Sequence, residues 1–496
     1  MKVLLASSEV VPFAKTGGLA DVAGALPGEL EKLGHEVTVF MPAYQCVRKA
    51  GVPVEPTGLQ LEIPIGQRVE EGSLLKSKLP NCNVTVYFVD HPEFFDRPSL
   101  YGENGSDYDD NCERFTFFSR SVLEVVRLLE LAPDVIHVND WQTGLIPALL
   151  ECECANNPIY QKIASLITIH NLAYQGSFDH SKMAVTGLDA KYFNWEQMEY
   201  HGNLNLLKTG IVFADSINTV SPTYSREIQS SEQGCGLEGV LQYRADRLSG
   251  ILNGIDSTDW NPETDKHLTA NFSADFDIKT GSEGKAKCKL DLQTESKLDI
   301  NPNVPLIGIV GRLASQKGWS LILPVLKKWL DSVDAQWVIL GTGDPDYHHV
   351  LTSLHRSHPS KLALTLGFSN ELAHRIEAGS DLFLMPSQYE PCGLNQMYSM
   401  AYGTIPVVRK TGGLADTVVN ATAQTISNKT ANGFDFEEFT ATALESTLTK
   451  AVQMYNEDRA TWNQLSWTGM NHDWSWNASA KQYEALYRET ISRRAK

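Results

Sequence analysis

The sequence predicts an α/β protein made of two Rossmann-like, doubly wound parallel-sheet domains with a cleft between them. Three observations carry this. Short runs rich in Val and Ile alternate with amphipathic stretches of helical length, the pattern of βαβ units. These runs form two sets, one in each half of the chain. The string Lys15-Thr16-Gly17-Gly18-Leu19-Ala20-Asp21 also returns letter for letter as Lys410-Thr411-Gly412-Gly413-Leu414-Ala415-Asp416. Each copy follows an apolar run and leads into helix-like sequence, so each half is expected to carry a strand, a Gly-Gly turn and a helix N-terminus.

The first set of expected strands is Val3–Ala6, extended by Val10–Ala14, then Val37–Phe40, Val84–Val89, Val135–Val138, Ser165–His170 and Ser216–Val220. After the first loop, Leu19, Val22, Ala23, Leu26, Leu30 and Leu33 fall on one face of a helix. A boundary is expected near Asn253-Gly254-Ile255-Asp256. A polar stretch follows, with a helix over Lys285–Leu292. The second set is Leu306–Val310, Trp337–Leu340, Leu362–Leu366, Leu382–Met385 and Ile405–Val408. The tail, Ser479 to Arg494, is expected to be a last helix with Tyr483, Leu486, Tyr487 and Ile491 on its apolar side. The expected domains are 1–253 and 254–476, with a C-terminal helix over 477–496.

At 496 residues the chain exceeds one ordinary core. Its 42% hydrophobic and 21% charged content is that of a globular protein. The net charge of −18 argues against nucleic acid and against an anionic membrane surface as partners, so any small anionic ligand needs local cations. No apolar run reaches membrane-spanning length. Glu9 interrupts the first apolar run, which favours a first strand over a signal peptide. The eight cysteines show no zinc spacing, and no metal or other cofactor is expected. A cytoplasmic location is expected.

Ligands of open parallel sheets bind beyond the carboxyl ends of the strands. Arg312 and Lys317 follow Leu306–Val310 and suit a diphosphate, as a planar fork plus a mobile point charge. Gly341 and Gly343 follow the next strand. Glu390, Cys392, Gly393 and Leu394 follow Leu382–Met385. Thr411, Gly412 and Gly413 follow Ile405–Val408. Glu390 reads either as a cap of a helix starting near Gly393 or as a ligand of sugar hydroxyls beside a reacting carbon, and spacing leaves both open. In the first half, Asp140 ends one strand and His170-Asn171 another. Asp140 reads either as the N-cap of a helix over Trp141–Leu150 or as a site residue. The Gly-Gly loops at Gly17-Gly18 and Gly412-Gly413 are expected to admit an anion to helix N-terminal amides, with Lys15 adding charge. No G-x-G-x-x-G follows the first strand and no Walker A string is present, which disfavours a dinucleotide dehydrogenase and a P-loop enzyme.

These strings together resemble one family, the bacterial glycogen synthases and plant starch synthases of glycosyltransferase family 5. The matching stretches are Ser8–Gly28 (SEVVPFAKTGGLADVAGALPG), His137–Leu145 (HVNDWQTGL), Thr168–Gly176 (TIHNLAYQG), Thr219–Ile228, Gly234–Leu241, Gly250–Asp256 (GILNGID), Gly311–Gly318 (GRLASQKG), Gly341–Pro345 (GTGDP) and Phe383–Val418. The resemblance implies a GT-B fold whose C-terminal helix crosses back to the first domain. It implies transfer of glucose from ADP-glucose to the 4-hydroxyl at the non-reducing end of an α-1,4-glucan such as glycogen, with retention. By motif it implies that Lys15, Gly17, Gly18 and Asn253 contact substrate, that Arg312 and Lys317 neutralise the leaving diphosphate, and that Glu390, Cys392, Gly393 and Leu394 hold the glucose. Thr411 to Gly413 would line the phosphates, with Gly341 and Gly343 beside them, and Asp140, His170 and Asn171 would lie on the acceptor and sugar side. Two departures stand out: Gln388 where many members have arginine, and Trp319 where leucine is usual. The lack of a long N-terminal extension favours the bacterial enzymes over the plastid ones.

The reaction needs positioned cations for the departing ADP and an oxygen near an oxocarbenium-like sugar. Here cations are expected to do the work of a divalent ion. A double displacement through an enzyme carboxylate and departure and attack on one face both remain open. The rivals are a UDP-glucose-dependent sucrose- or trehalose-type synthase, a non-catalytic glucan-binding relative and a glucan phosphorylase.

Overall fold

The computed structural model describes residues 1–103 and 105–495. The chain divides into two compact units, one of Met1–Asn253 with the chain from Trp476 onward, the other of Gly254–Ser475.

The first unit is organised by a nine-stranded sheet. Its strands are β1 (Lys2–Ala6), β2 (Glu36–Pro42), β3 (Glu55–Ile65), β4 (Arg68–Lys78), β5 (Thr85–Asp90), β6 (Val135–Asn139), β7 (Ala164–Ile169), β8 (Ser216–Thr219) and β9 (Leu248–Gly250). They lie in the order β9-β8-β7-β6-β1-β2-β5-β4-β3. The run from β9 to β5 is parallel. β6 and β7 are buried along their whole length, as strands covered on both faces by helices must be. β3 and β4 add an antiparallel hairpin that joins the sheet through β5. The sequence reading has no strand there, because β4 is charge-rich and β3 holds Pro56 and Pro64. The prolines suit β3, the edge strand, where a missing N–H is tolerated and further pairing is discouraged.

Val10–Ala14 does not extend β1. It closes a tight turn through an isolated bridge between Val10 and Ala14, and it is apolar because its residues are mostly buried, not because it is extended. The last helix is Trp476–Arg494, and residue 496 of the expected 477–496 helix lies outside the described residues. It is anchored on this unit by polar contacts in a buried interface. His137 Nδ1 and the Tyr487 hydroxyl are 2.9 Å apart, Asn218 Nδ2 donates to the Tyr483 hydroxyl at 3.1 Å, and Ser479 Oγ donates to the Leu252 carbonyl at 2.6 Å.

The second unit has a six-stranded parallel sheet: β10 (Leu306–Val310), β11 (Gln336–Gly341), β12 (Leu362–Leu366), β13 (Leu382–Met385), β14 (Ile405–Arg409) and β15 (Phe434–Phe436). The order is β12-β11-β10-β13-β14-β15. By position within the unit this is 3-2-1-4-5-6, the doubly wound order whose direction reverses between the first and fourth strands. Trp319, Trp329 and Trp337 pack in its core with Leu326, Leu382 and Tyr455. Trp319 takes up its large volume fully buried, so the leucine-to-tryptophan departure is a core substitution.

Candidate active site

In the second unit the reversal point lies between β10 and β13, which pair through Ile307–Leu382 and Gly308–Phe383. The loops leaving these two strands converge there. After β10 the chain makes a single 3₁₀ turn, Ser315–Lys317, and ends it at Gly318 with φ +81. A side chain at Gly318 would run into the Pro386 carbonyl, so this glycine lets the β10 loop lie against the β13 loop. Lys317 Nζ then sits 2.6 Å from Glu390 Oε2, and Ser387 Oγ donates to the same oxygen at 2.9 Å. Glu390 is buried while Lys317 keeps partial exposure.

Glu390 is therefore no helix cap. The helix that follows is Asn395–Ala401, and no side chain caps it. Arg312 is exposed, with Nη2 donating to Gln316 Oε1 at 3.2 Å. Gln316, given no role in the sequence reading, ties the loops together: its Nε2 donates to the Tyr389 carbonyl and its carbonyl accepts from Gln388 N–H, each at 2.8 Å. Gln388 holds this place through its backbone, and its own carbonyl accepts from Arg409 Nη1 at 2.6 Å.

The glycines of this edge serve close approaches between loops. A side chain at Gly341 would strike the Gly311 carbonyl, and one at Gly343, φ +156, the Leu313 backbone. Leu313 N–H donates to the Thr342 carbonyl and Asp344 N–H to the Leu313 carbonyl. Gly393 has φ +71 and abuts the Gln396 side chain; Cys392 is buried and Leu394 half-buried. The second heptapeptide packs onto this segment. Thr411 is buried, Gly412 has φ +46 and faces the Glu390 carbonyl, and Gly413 lies on the Cys392 carbonyl. Gly413 N–H donates to the carbonyls of Glu390 and Pro391 at 3.2 and 3.1 Å.

The first unit has its own reversal point, with β1 between β2 and β6. Asp140 follows β6 with φ +55 and ψ −170, a region that costs a non-glycine residue about 1–3 kcal/mol. Its side chain caps no helix. Oδ1 accepts from His170 N–H at 2.7 Å, and the elements that follow are a 3₁₀ turn, Trp141–Thr143, and a helix, Leu145–Cys152. Burial pushes the Asp140 carboxyl up to about 7; backbone N–H groups of His170 and Asn171 oppose the shift and the charge of Glu9 adds to it. His170 is held neutral, its pKa lowered to about 3 by burial, with Nε2 2.9 Å from Asn139 Oδ1. Asn171 Oδ1 accepts from Ala173 N–H at 3.1 Å in a local turn. Asn253, at the end of this unit, is buried and its Oδ1 has no hydrogen-bond partner among the described residues.

The first heptapeptide lies in the loop after β1. Lys15 is half exposed, with Nζ 2.7 Å from Asp21 Oδ1. Gly17 and Gly18 have no atom within 4 Å of where a side chain would begin. The expectation that the amides of this loop are open to an anion fails in part. Glu9, which the sequence reading gives no place in the site, already accepts from Thr16 N–H and Gly17 N–H.

Among the described residues no cluster of His, Cys, Asp and Glu could hold a metal ion, and no helix is long and apolar enough to cross a membrane.

The family model "Starch synthase catalytic domain" matches residues 2–243, and "Glycosyl transferases group 1" matches residues 293–465. The chain is similar to a glycogen synthase of Rhodopirellula baltica, 47% identical over 99% of this chain and 98% of that one. It is equally similar, at 47%, to glycogen synthase 2 of Geobacter sulfurreducens over 98% of both chains. Among solved structures it matches the catalytic domain of starch synthase IV from Arabidopsis thaliana bound to ADP and acarbose, with a TM-score of 0.89, 34% identity and 99% of each chain covered. Sucrose-phosphate synthase from Thermosynechococcus elongatus, at a TM-score of 0.59 and 16% identity over 99% of each chain, shares the fold alone. The architecture is the two-domain GT-B fold. With full-length relatives at 47% identity and a solved structural counterpart, this chain belongs to the glycogen and starch synthase family of glycosyltransferases.

Proposed function

We propose that this chain elongates an α-1,4-glucan by moving glucose from ADP-glucose to the 4-hydroxyl at its non-reducing end, with retention of configuration. The observation that carries the reading is the Lys317–Glu390 pair at the reversal point of the second unit, with Arg312 on the same loop. Two cations and a buried carboxylate at a strand-end crevice fit a ligand that carries both a diphosphate and a sugar. The full-length relatives named glycogen synthases, and the structural neighbour bound to ADP and acarbose, support the choice of donor and acceptor.

In this reading Arg312 and Lys317 stabilise the charge growing on the departing diphosphate. Glu390 and the backbone at Cys392, Gly393 and Leu394 hold the glucose, while Gly341, Gly343 and the Thr411–Gly413 loop shape the phosphate side. Lys15, Gly17, Gly18 and Asn253 contact the donor. Asp140, His170 and Asn171 serve the sugar and the acceptor. Glu390 is tied to Lys317 and Ser387, and Asp140 is largely protonated below pH 7, so neither is presented as a free nucleophile. This favours departure and attack on one face, the phosphate oxygen taking the acceptor proton. All eight cysteines are free, which suits action in a reducing cytoplasm.

The test is initial rates on a maltooligosaccharide with ADP-glucose and UDP-glucose. ADP-glucose is expected to lead by about tenfold or more, since the choice rests on polar groups that meet the base. Comparable rates, or a lead for UDP-glucose, would overturn the donor assignment.

A further inference from the structure

Anion-binding loops at helix starts work by turning free backbone N–H groups toward the ligand. In the loop after β1 that role is already taken from within. Glu9 is buried, and its carboxylate makes four hydrogen bonds. Oε2 accepts from Thr16 N–H at 2.5 Å and Gly17 N–H at 3.2 Å. Oε1 accepts from Thr16 Oγ1 at 2.6 Å and from the Tyr101 hydroxyl at 2.7 Å. Tyr101 also lies 2.8 Å from Ser8 Oγ, so a second segment braces the carboxylate. What the loop leaves outward is the Lys15 ammonium and two glycines with open space over them. Gly17 is extended at φ −150, and neither glycine answers a steric need of the fold.

We propose that Glu9 is the positioning residue of this loop: its carboxylate fills the amide nest that a phosphate would otherwise enter, and so fixes Lys15 and the bare Gly17-Gly18 surface for the donor. The role of Lys15 rests on the function proposed above; the hold of Glu9 on the loop does not. The contact pattern makes geometry, not charge, the quantity that matters. A glutamine at this position keeps all four contacts, its oxygen facing the two amides and its NH₂ facing two hydroxyls that can accept. An aspartate keeps the charge but draws the carboxylate back by one methylene.

The experiment compares wild type with Glu9→Gln, Glu9→Asp, Lys15→Ala and the Glu9→Asp/Lys15→Ala double variant, in turnover of ADP-glucose and in hydrogen exchange over residues 12–22. Glu9→Asp is expected to lose exchange protection in that segment and to lower kcat/KM by about 10²-fold, the scale of a misplaced binding group. Glu9→Gln is expected to keep the protection and most of the activity. The double variant is expected to lose less than the product of the two single losses, because the part of the Glu9 effect carried by Lys15 is already gone. A larger loss in Glu9→Gln than in Glu9→Asp would overturn the proposal, and so would fully multiplicative losses. If wild type turns over no ADP-glucose, the function reading fails and the exchange data alone judge Glu9; unchanged protection in Glu9→Asp would then reject its hold on the loop.

Discussion

Lys317 and Glu390 stand 73 positions apart in sequence, yet the Lys317 ammonium lies 2.6 Å from the Glu390 carboxylate. The two belong to loops leaving adjacent parallel strands, β10 and β13, at the point where the strand order reverses. The pair neutralises the buried carboxylate before substrate arrives and leaves the exposed Arg312 as the freer cation of the loop. In the proposed reaction Lys317 divides its charge between Glu390 and the donor, whereas Arg312 can meet the diphosphate directly.

From this pairing, Arg312→Ala and Lys317→Ala are each expected to lower kcat by about 10²- to 10³-fold, the scale of losing one preorganised stabilising group. Lys317→Ala is also expected to destabilise the fold more than Arg312→Ala, since it strips a buried carboxylate of its charge partner. Kinetics and thermal melting of both variants check this. Near-normal kcat in both would remove them from the leaving-group role.

The identical heptapeptides give opposite predictions for identical substitutions. Gly412→Ala and Gly413→Ala push a methyl into the backbone of Glu390 and Cys392, and an overpacking cost of about 1–3 kcal/mol is expected. Gly17→Ala and Gly18→Ala meet open space, so stability is expected to stay within about 0.5 kcal/mol while donor affinity falls. Melting curves and ADP titrations on the four variants separate the cases. Equal destabilisation across them would contradict it.

Asp140 sets a pH dependence. Its carboxyl is raised to about 7 in the fold, against about 3.9 for a free aspartate. Between those values the native state binds more protons than the unfolded one, so this group's contribution to stability falls as pH rises from ~4 to ~7 and levels off above. Asp140→Asn is expected to flatten the decline seen in wild type over that window. Parallel melting-temperature profiles for the two proteins would assign the slope to other groups.

Cys392 is buried between Pro391 and Gly393, with its carbonyl accepting from Gln396 Nε2 at 3.1 Å. Glucosyl transfer needs no thiolate, so Cys392→Ser is expected to keep substantial activity. Loss of all turnover with an unchanged melting temperature would show that the thiol takes part.

The parallel strands are legible in sequence because burial on both faces makes them continuous Val- and Ile-rich runs, as in β6 and β10. The β3–β4 hairpin is not, because prolines break the pattern of the edge strand β3 and charges that of its partner β4. Arg312, Lys317 and Glu390 are legible because strand exits mark where ligands bind. Glu9 is not, because a carboxylate that reaches back into its own chain leaves no spacing signal. Gln316 and Ser387 escape for the same reason. The heptapeptide repeat marks both loops but cannot tell them apart: only the second copy lies on the Glu390–Cys392 backbone, and that neighbour comes from tertiary structure.

Glucosyl transfer from ADP-glucose to a glucan end leaves two products that can be counted together, ADP and the lengthened chain. The most direct measurement follows ADP release and the product together, with maltoheptaose as acceptor and NMR of the new linkage. ADP is expected to appear only with acceptor present, one for each glucose added, and each new linkage to be α-1,4 at the non-reducing end. ADP release that is indifferent to acceptor, or glucose delivered with inverted configuration, would contradict it.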